Sequence, residues 1–517
     1  MRLAPLSFIL WLVTMPLLGG LYLTVPVSPD QALFDYIAWS HLQGDYYYAG
    51  VAEQNWPGKM FLHELGIRIF GVHFWTFRAI DFVLMQVVAV VGTLFLLRAG
   101  FRRAYWVFLL VYPPLYVTSG YWMAGQRDIV AMGLLLAAAT AFLSENGDAH
   151  HKPAAYMLSG ALIFMAVIMR PTYLTFLAIL MLVLLVLFLL GRLSFGRAFL
   201  NVMLLSAGFA LPLAVLVWLG RNIGALDDFY QQTILFNIES YQVPLARSRL
   251  VEPLIALLTN SWHWITLLAT IGIVLWLIIP GATLPLFLIL GLIATILISY
   301  FVQNKGFMYH LGGLLPLLCL LIVVTFDWAL RRFQATSAPR ERVVSGGVLL
   351  AITLLAIAGT GAKIQNTLPE HTEQQATWLT PNFRSTNDLN WEEISQVVTL
   401  IETTTAPDEY VLQWGRNFSV PYLAQRRSTI RFVSTPALDL LTPQFSGYNA
   451  WLAEVASDLV QKRPAIAVVA SDIVPSGTPL KARQNASVAE TMIIAHLADY
   501  EEVIRNEHIV VFQTRDR

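Results

Sequence analysis

The chain has 517 residues and no formal net charge, because its 33 lysines and arginines balance 33 aspartates and glutamates. Hydrophobic residues make up 56% of the sequence and charged residues only 13%, whereas soluble chains carry about 25% charge. This shortage of charge excludes an ordinary soluble protein and indicates that a lipid bilayer is the solvent. The absence of a basic excess argues against a nucleic-acid partner. The single cysteine, Cys319, excludes a disulfide framework and a cysteine metal site.

Apolar runs long enough to cross a membrane recur between residues 6 and 362. A spanning helix needs about 20 mostly apolar residues, and this criterion predicts a polytopic α-helical membrane protein with about eleven transmembrane helices. The first run is longer than the apolar core of a signal peptide and has no obvious cleavage motif, so we expect it to be retained. The predicted spans cover residues 6–25, 79–97, 104–118, 129–144, 154–169, 172–190, 198–220, 262–280, 284–302, 311–328 and 344–362.

The lysines and arginines between these spans fall mainly in alternate loops. Cytoplasmic loops of membrane proteins carry an excess of these residues, so the bias predicts a cytoplasmic N-terminus. An odd number of spans then places the chain after Lys363 outside. We therefore expect a protein of the bacterial inner membrane whose C-terminal domain is periplasmic or extracellular. The loops assigned to the inside contain Arg98, Arg102, Arg103, Lys152, Arg192, Arg197, Arg331, Arg332, Arg340 and Arg342.

Two of the predicted outer regions are too long to be simple connections. The first, residues 26–78, contains two amphipathic segments, DQALFDYIAWSHLQ and GKMFLHELGIRIF, which predict short helices on the membrane surface. The second, residues 363–517, alternates predicted strands and helices, which indicates a soluble α/β domain after a transmembrane domain of residues 1–362. Its predicted strands are EYVLQW, TIRFVS, AIAVVA and HIVVFQ, and its predicted helices are WEEISQVVTLIE, NAWLAEVASDLVQ and SVAETMIIAHLA.

Several charged residues lie at the predicted outer ends of spans, where a charge is costly and therefore informative about function. Two of them, Asp30 and Asp128, are carboxylates, and most of the others are cations. We expect these residues to open onto one cavity at the outer leaflet of the membrane. The full set is Asp30, Lys59, Arg127, Asp128, Arg170, Lys305 and His310.

This combination of carboxylates and cations suits the transfer of a sugar from a lipid-linked phosphate. A carboxylate can take the proton of an acceptor hydroxyl that attacks the anomeric carbon. An anion near the sugar ring also stabilises the positive charge that develops there. The leaving phosphate needs cations, and arginine and lysine form charge-assisted hydrogen bonds to phosphate oxygens. The pattern therefore predicts a glycosyltransferase that works at the membrane surface.

The first outer loop resembles that of the GT-C glycosyltransferases, in particular the bacterial family 39 type that includes protein O-mannosyltransferases and aminoarabinose transferases. These proteins carry an Asp-Glu pair, a glycine followed by aromatic residues, a Lys-Pro-Pro-like element, a Phe-Gly at a helix end and an arginine. The second acidic position is here Gln31, and Lys59 follows its proline instead of preceding it. The corresponding residues are Asp30-Gln31, Gly44 with Tyr46 to Tyr48, Asn55 to Lys59, Phe70-Gly71 and Arg78, and the segments GQRD (125–128) and QNKGFMYH (303–310) are similar to later motifs.

The resemblance implies inverting transfer of a monosaccharide from a polyprenyl-phosphate donor to a glycan, glycolipid or protein acceptor at the outer face. It implies that Asp30 is the general base and that Asp128 supports the acceptor or the sugar. Members of the family often need no metal, so no cofactor is expected. Asp30 and Asp128 could share a divalent metal, but the sequence shows no second oxygen cluster to support one. The residues expected to hold the donor phosphate are Arg127, Lys305, Lys59, Arg170 and His310.

Other interpretations stay open on the residues alone. Asp30 can cap a helix, and Arg170 and Lys305 can extend to lipid head groups. A transporter or flippase would show internal repeats and charges at mid-membrane. A polysaccharide ligase would use a diphosphate-linked oligosaccharide, and an assembly or sensor protein would use the outer tail to bind a partner. Asp30→Asn separates the enzyme from the others, because only sugar transfer requires this carboxylate.

Overall fold

The computed structural model describes residues 3–149, 152–241, 247–278, 283–372, 391–474 and 486–515. Contacts between residues divide the chain into two compact units. Unit 1 comprises Met1–Tyr22, Asp81–Leu216 and Val243–Glu370. Unit 2 comprises Leu23–Ile80, Val217–Gln242 and His371–Arg517.

The described residues form α-helices and four β-strands, which are numbered here along the chain. The helices are α1 (Leu3–Leu23), α2 (Pro29–Leu42), α3 (Gly58–Phe70), α4 (Thr76–Arg98), α5 (Val107–Val117), α6 (Arg127–Phe142), α7 (Pro153–Met169), α8 (Leu174–Leu189), α9 (Phe195–Asn222), α10 (Leu226–Tyr230), α11 (Phe236–Glu239), α12 (Arg247–Ala256), α13 (His263–Leu277), α14 (Thr283–Gln303), α15 (Leu314–Ala335), α16 (Pro339–Thr372), α17 (Trp391–Thr404), α18 (Ser419–Leu423), α19 (Thr435–Asp439), α20 (Tyr448–Lys462) and α21 (Val488–His496). The strands are β1 (Val411–Trp414), β2 (Ile466–Ala470), β3 (Tyr500–Arg505) and β4 (Ile509–Thr514).

Each predicted membrane span coincides with a helix: α1, the run from α4 to α9, and the run from α13 to α16. Within the described residues, seven helices are long and apolar enough to cross a membrane. Residues 249–261 and 263–277 form a pair bent by 93°, which can count as an eighth span. The helices α5 and α7 are apolar but shorter. These helices confirm the prediction of an integral membrane protein, because a helix satisfies its backbone hydrogen bonds internally, as a bilayer requires.

Glycines allow close helix packing inside unit 1. A Cβ atom on Gly160 of α7 would lie 2.1 Å from the carbonyl oxygen of Leu205 on α9. A Cβ atom on Gly208 of α9 would lie 2.1 Å from the carbonyl oxygen of Met157 on α7. Small residues are enriched where membrane helices approach, because packing and not hydrophobic burial drives their association. The two glycines therefore set the distance between α7 and α9.

The first outer loop differs from its prediction in the environment of α2. Both predicted helices form, but residues 31–40 of α2 are all buried within unit 2 instead of presenting a surface face. The polar side chains of α2 are buried because they have partners: Asp35 accepts a hydrogen bond from His63 at 2.7 Å, and Ser40 donates one to Asp45 at 2.6 Å. Helix α3 keeps an exposed apolar stripe, formed by Phe61, Leu65 and Ile69.

The C-terminal part of unit 2 contains a four-stranded sheet in the order β1-β2-β4-β3. Strands β1 and β2 are parallel, with Val411 beside Ile466, and the other two pairs are antiparallel. The predicted helices correspond to α17, α20 and α21, and the predicted strands EYVLQW, AIAVVA and HIVVFQ to β1, β2 and β4. The α/β character of this region is thereby confirmed. The predicted boundary between residues 362 and 363 falls inside α16 and stays a prediction.

The predicted strand TIRFVS is wrong. Residues 429–434 form no strand, and the carbonyl of Arg431 accepts a hydrogen bond from Ala52 of the first loop at 2.9 Å. The guanidinium of Arg431 also contacts Asp228 at 2.6 Å and donates to the carbonyl of Tyr48 at 3.0 Å. The segment therefore contacts β1 at its first residue, where the Thr429 backbone donates to the carbonyl of Val411 at 3.1 Å, and then bonds to two distant parts of unit 2. Arg431 thus links the first loop, the segment 217–242 and the C-terminal region.

Candidate functional site

The structure brings together five of the seven predicted site residues, all in unit 1. We call this group the cation cluster: Arg127, Asp128, Arg170, Lys305 and His310. Arg170 forms an ion pair with Asp128, and the charges of Arg127 and Arg170 act on both Lys305 and His310. The other two predicted residues, Asp30 and Lys59, belong to unit 2. The single cavity expected for all seven stays a prediction.

Helix ends and a proline place the members of the cation cluster. Gln126 has extended backbone angles, φ −71° and ψ 147°, so that α6 begins at Arg127 and carries Asp128 in its first turn. A carboxylate is favoured there by the helix dipole. Pro171 disfavours a helical conformation for the preceding residue. Arg170 is accordingly extended, with φ −154° and ψ 110°, at the end of α7. Lys305 and His310 lie in the connection between α14 and α15.

The ion pair of Asp128 and Arg170 is buried. Their side chains are 0% and 3% exposed, and Arg170 Nη2 lies 2.8 Å from Asp128 Oδ2. The hydroxyl of Tyr173 donates a hydrogen bond to Asp128 Oδ1 at 2.7 Å. A buried ion pair is tolerated only when good geometry and further hydrogen bonds offset the loss of hydration. Asp128 and Arg170 therefore neutralise each other's charge and form the rigid part of the cation cluster.

A second set of hydrogen bonds joins Arg170 to the end of α14. Arg170 Nη1 donates to Gln303 Oε1, and Gln303 Nε2 donates to both the carbonyl and the hydroxyl of Ser299 at 2.9 Å. Ser299 also shares a hydrogen bond of 2.6 Å with Thr172. The guanidinium of Arg170 is thus oriented by α6 on one side and by α14 on the other. A pre-organised guanidinium loses little entropy when it binds an anion.

The cation cluster has more positive than negative charge. It contains three basic side chains, Arg127, Arg170 and Lys305, and one carboxylate, Asp128. Burial, followed by the charges of Arg127 and Arg170, lowers the pKa of Lys305 to about 7. Lys305 is therefore only partly protonated at neutral pH, because a further positive charge in this place is unfavourable. A bound anion would favour the protonated form of Lys305.

His310 contributes no charge to the cation cluster at neutral pH. It is 3% exposed, and burial, together with the charges of Arg170, Arg127 and Lys305, lowers its pKa well below the usual range of histidine. A neutral imidazole can still donate one hydrogen bond. The expected role of His310 at a phosphate is therefore that of an N–H donor and not that of a cation.

Aromatic rings accompany the charged residues. Trp122 stacks on Tyr309 with the ring centroids 5.9 Å apart, and Tyr309 stacks on Phe307 at 5.4 Å. The ring of His310 meets Tyr309 edge to face at 4.7 Å. Tyr309 also interacts electrostatically with Arg170. The sequence showed these aromatics, but only their stacking beside the cations identifies them as part of the site.

Asp30 lies at the start of α2 in unit 2 but does not cap this helix. The cap is Ser28, whose hydroxyl accepts a hydrogen bond from the Gln31 backbone, while the Gln31 side chain accepts one from the Ser28 backbone at 3.1 Å. This is a complete capping box. The glutamine at the family's second acidic position therefore has a structural role, and the half-buried Asp30 is not needed for capping.

Lys59 lies in a buried group of unit 2 that the sequence did not reveal. Its ammonium lies 3.8 Å from the centre of the Phe77 ring, on which His63 also stacks at 3.8 Å. His63 Nδ1 donates to Asp35 at 2.7 Å. Burial raises the pKa of Asp35, although the charges of Lys59 and Arg78 oppose this shift. The only sequence signal was the spacing of four between Lys59 and His63, which places both on one face of α3.

The pKa of His63 is shifted in the opposite direction. Burial and the charges of Lys59 and Arg78 lower it well below the usual range, so His63 is neutral at pH 7. Arg78 itself donates to the carbonyls of Val25 and Pro26, at 3.2 and 2.5 Å. The arginine of the family pattern is thus used in this chain to fix the backbone after α1.

One group in the described parts of the chain has the geometry of a possible metal site: Glu393, Glu507 and His508. His508 Nδ1 lies 3.3 Å from Glu393 Oε2. None of the predicted site residues belongs to this group, and exposed acidic groups are common without an ion. It therefore has no bearing on the chemistry of the cation cluster.

Comparison of the structure with solved structures identifies the fold. ArnT from Cupriavidus metallidurans bound to undecaprenyl phosphate superposes with a TM-score of 0.60 and 12% identity, over 98% of this chain and 97% of that chain. The same protein in the apo state gives a TM-score of 0.57 and 14% identity over the same shares. The apo oligosaccharyltransferase of Archaeoglobus fulgidus gives 0.54 and 11% identity, over 90% of this chain and 69% of that chain.

Sequence comparison adds nothing to this identification. No protein-family model matches the sequence, and no curated protein matches it. The chain therefore shares the fold of these membrane glycosyltransferase structures.

Proposed function

We propose that this protein is an inverting glycosyltransferase that takes a monosaccharide from a polyprenyl-phosphate donor and passes it to a glycan, glycolipid or protein acceptor. One observation carries the proposal: the cation cluster holds a surplus of positive charge in a largely buried place, with Lys305 near its titration point at neutral pH. The GT-C fold supports the reaction class. The similar ArnT structure contains undecaprenyl phosphate, which supports a lipid-linked donor.

In this proposal the donor phosphate is held by Arg127 and Lys305, while Arg170 is fixed by its pairing with Asp128. Arginine and lysine bind phosphate oxygens through short, charge-assisted hydrogen bonds. The same cations stabilise the negative charge that the phosphate gains as the glycosidic bond breaks. Lys59 was also expected at the phosphate. It lies in unit 2, and its contact with the phosphate stays a prediction.

The chemical step requires a base, and Asp30 is the proposed one. The acceptor hydroxyl attacks the anomeric carbon, a new C–O bond forms, and its proton passes to the Asp30 carboxylate. The bond between the anomeric carbon and the phosphate oxygen breaks, and polyprenyl phosphate leaves with the electron pair. A single displacement of this kind inverts the anomeric centre. No metal is required for this balance.

The proposed location is the outer face of a bacterial inner membrane. The distribution of arginine and lysine between loops supports this orientation, with the C-terminal domain periplasmic or extracellular. A flippase or a polysaccharide ligase would also bind a lipid-linked phosphate or diphosphate. A binding measurement therefore tests the phosphate site, and a sugar-transfer assay tests the proposed reaction.

The pH dependence of donor binding tests the proposed phosphate site. We expect the affinity of the wild-type protein for undecaprenyl phosphate to fall as the pH rises above 7, by up to about tenfold per pH unit, because Lys305 loses its proton. In Lys305→Arg the affinity should stay level between pH 7.5 and 9, because arginine remains charged. The measurement is a binding isotherm in nanodiscs at each pH.

Two features make this experiment decisive. A phosphate monoester has its second pKa at about 6, so undecaprenyl phosphate itself barely titrates above pH 7.5. Arg192→Gln, which removes an exposed cation outside the cluster, should reproduce the wild-type curve. Equal slopes in wild type and Lys305→Arg would exclude Lys305 as a phosphate ligand.

A further inference from the structure

A carboxylate that sequence reasoning missed is buried inside unit 1. Asp81 lies in the apolar helix α4 and is 0% exposed. The hydroxyl of Tyr116 on α5 lies 2.8 Å from both of its oxygens, and the hydroxyl of Tyr22 on α1 donates to one of them. Two phenol groups from two other helices therefore converge on one carboxylate.

The burial of the Asp81 carboxylate in a membrane span costs free energy. A charged residue within a membrane span is costly and is normally paired or functional. Among the described residues Asp81 makes no ion pair, and two phenol hydroxyls donate to it. Hydrogen bonds from neutral donors compensate a buried charge less than a cation does. Simple packing would be served better by an apolar residue, so the effect of the carboxylate on its neighbours is of interest.

The effect of Asp81 on Tyr116 is to fix the direction of a proton. A phenol has one O–H donor and can also accept a hydrogen bond. The Tyr116 hydroxyl donates to the Asp81 carboxylate at 2.8 Å, so its proton points at Asp81. Its lone pair is then available to the backbone N–H of Gly125, which donates to Tyr116 Oη at 2.8 Å. Hydrogen bonds arranged in a chain of this kind strengthen one another.

Gly125 is the point at which this chain of hydrogen bonds reaches the cation cluster. It has a φ of +75°, in the left-handed region that favours glycine, and it lies two residues before Arg127. Its neighbour Gln126 is the N-cap of α6, which begins at Arg127. The backbone at Gly125 therefore decides where the first turn of α6 places Arg127 and Asp128.

We propose that Asp81 and Tyr116 are positioning residues, which hold Gly125 so that Arg127 and Asp128 are presented correctly to the donor phosphate. This inference rests on the function proposed above. Neither residue touches the phosphate. Asp81 orients the hydroxyl of Tyr116, Tyr116 anchors the Gly125 amide, and the amide fixes the start of α6.

The test compares two matched variants, Tyr116→Phe and Tyr22→Phe. Each removes one buried phenol hydroxyl from Asp81 and keeps the aromatic ring, but only Tyr116→Phe removes the acceptor of the Gly125 amide. We expect Tyr116→Phe to weaken undecaprenyl phosphate binding about tenfold and Tyr22→Phe to change it less than about twofold. Amide hydrogen exchange should rise in peptides covering residues 118–127 only in Tyr116→Phe. The melting temperature of both variants is measured in parallel.

The outcomes separate positioning from general stabilisation. If both variants weaken binding in proportion to their loss of melting temperature, the network is merely structural and the inference is overturned. Unchanged binding in Tyr116→Phe would overturn it as well. If the wild-type protein binds no undecaprenyl phosphate, the proposed function fails, and hydrogen exchange still decides the inference. Selective deprotection of residues 118–127 in Tyr116→Phe would then support the anchoring of Gly125, and equal protection in both variants would refute it.

Discussion

Replacing Arg170 by alanine should lower the free energy of unfolding by about 3–5 kcal/mol, because Asp128 would be left buried without its partner. Both side chains are almost completely inaccessible, at 3% and 0% exposure, so solvent cannot screen the lost interaction. Arg170→Ala also removes the hydrogen bond to Gln303. Equilibrium unfolding in mixed micelles measures the loss. Arg192→Ala, at an exposed arginine of the same unit, should leave stability unchanged.

A double variant separates the structural role of this pair from its role in binding. Arg170→Met with Asp128→Leu replaces the two buried charges by apolar side chains of similar size, which often restores stability. We expect the double variant to recover most of the stability lost in Arg170→Ala. Binding of undecaprenyl phosphate should be weaker than in the wild type, because the two apolar side chains cannot orient the site as the ion pair does. Recovery of both properties would show that the ion pair has no part in binding.

Asp30→Asn should reduce sugar transfer about 10²- to 10⁴-fold, the usual contribution of a general base. Asparagine has nearly the same size as aspartate, and Ser28 and Gln31 cap α2 without Asp30, so the helix should form normally. Affinity for undecaprenyl phosphate should change less than twofold, because the phosphate is assigned to other residues. Transfer is measured with a radiolabelled sugar on a polyprenyl phosphate.

The matched control for this variant is Asp408→Asn, which removes an exposed carboxylate from the same unit. Its transfer rate should equal that of the wild type. Full transfer activity in Asp30→Asn would exclude Asp30 as the base, whatever the outcome for donor binding. Circular dichroism measures the folding of both variants, so a loss of transfer caused by misfolding is distinguished from a loss of the base.

The membrane spans could be predicted because a bilayer imposes a length. Runs of about 20 apolar residues have no other stable arrangement in lipid than a helix, so the predicted spans coincide with helices in the structure. The sheet was harder to predict. Strand β3, YEEVIR, exposes Glu501 and Glu502 at the sheet edge, and it lacks the apolar pattern that identified β2 and β4. The run TIRFVS had that pattern, but it contacts β1 through Thr429 and then bonds to the first loop through Arg431, so it forms no strand.

The charges of the candidate site were predictable only in part. Arg127, Arg170 and Lys305 stand out because cations at the predicted outer ends of spans are few. Asp35 and His63 looked like the polar face of surface helices, since nothing in the sequence shows that each is the other's buried partner. Asp81 is a lone charge in an apolar span of the sequence, but its structural role depends on two tyrosines that are distant in the chain. Periodicity predicts which face of a helix or strand a residue occupies, but it does not predict which distant side chain the residue contacts.

The most direct test of the cation cluster is an experimental structure with undecaprenyl phosphate bound. We expect phosphate oxygens to lie within about 3 Å of Lys305 Nζ and of the Arg127 guanidinium, the distance of charge-assisted hydrogen bonds. We also expect the ion pair of Arg170 and Asp128 to stay intact. A head group bound away from both Lys305 and Arg127 would contradict the assignment of this cluster to the donor phosphate.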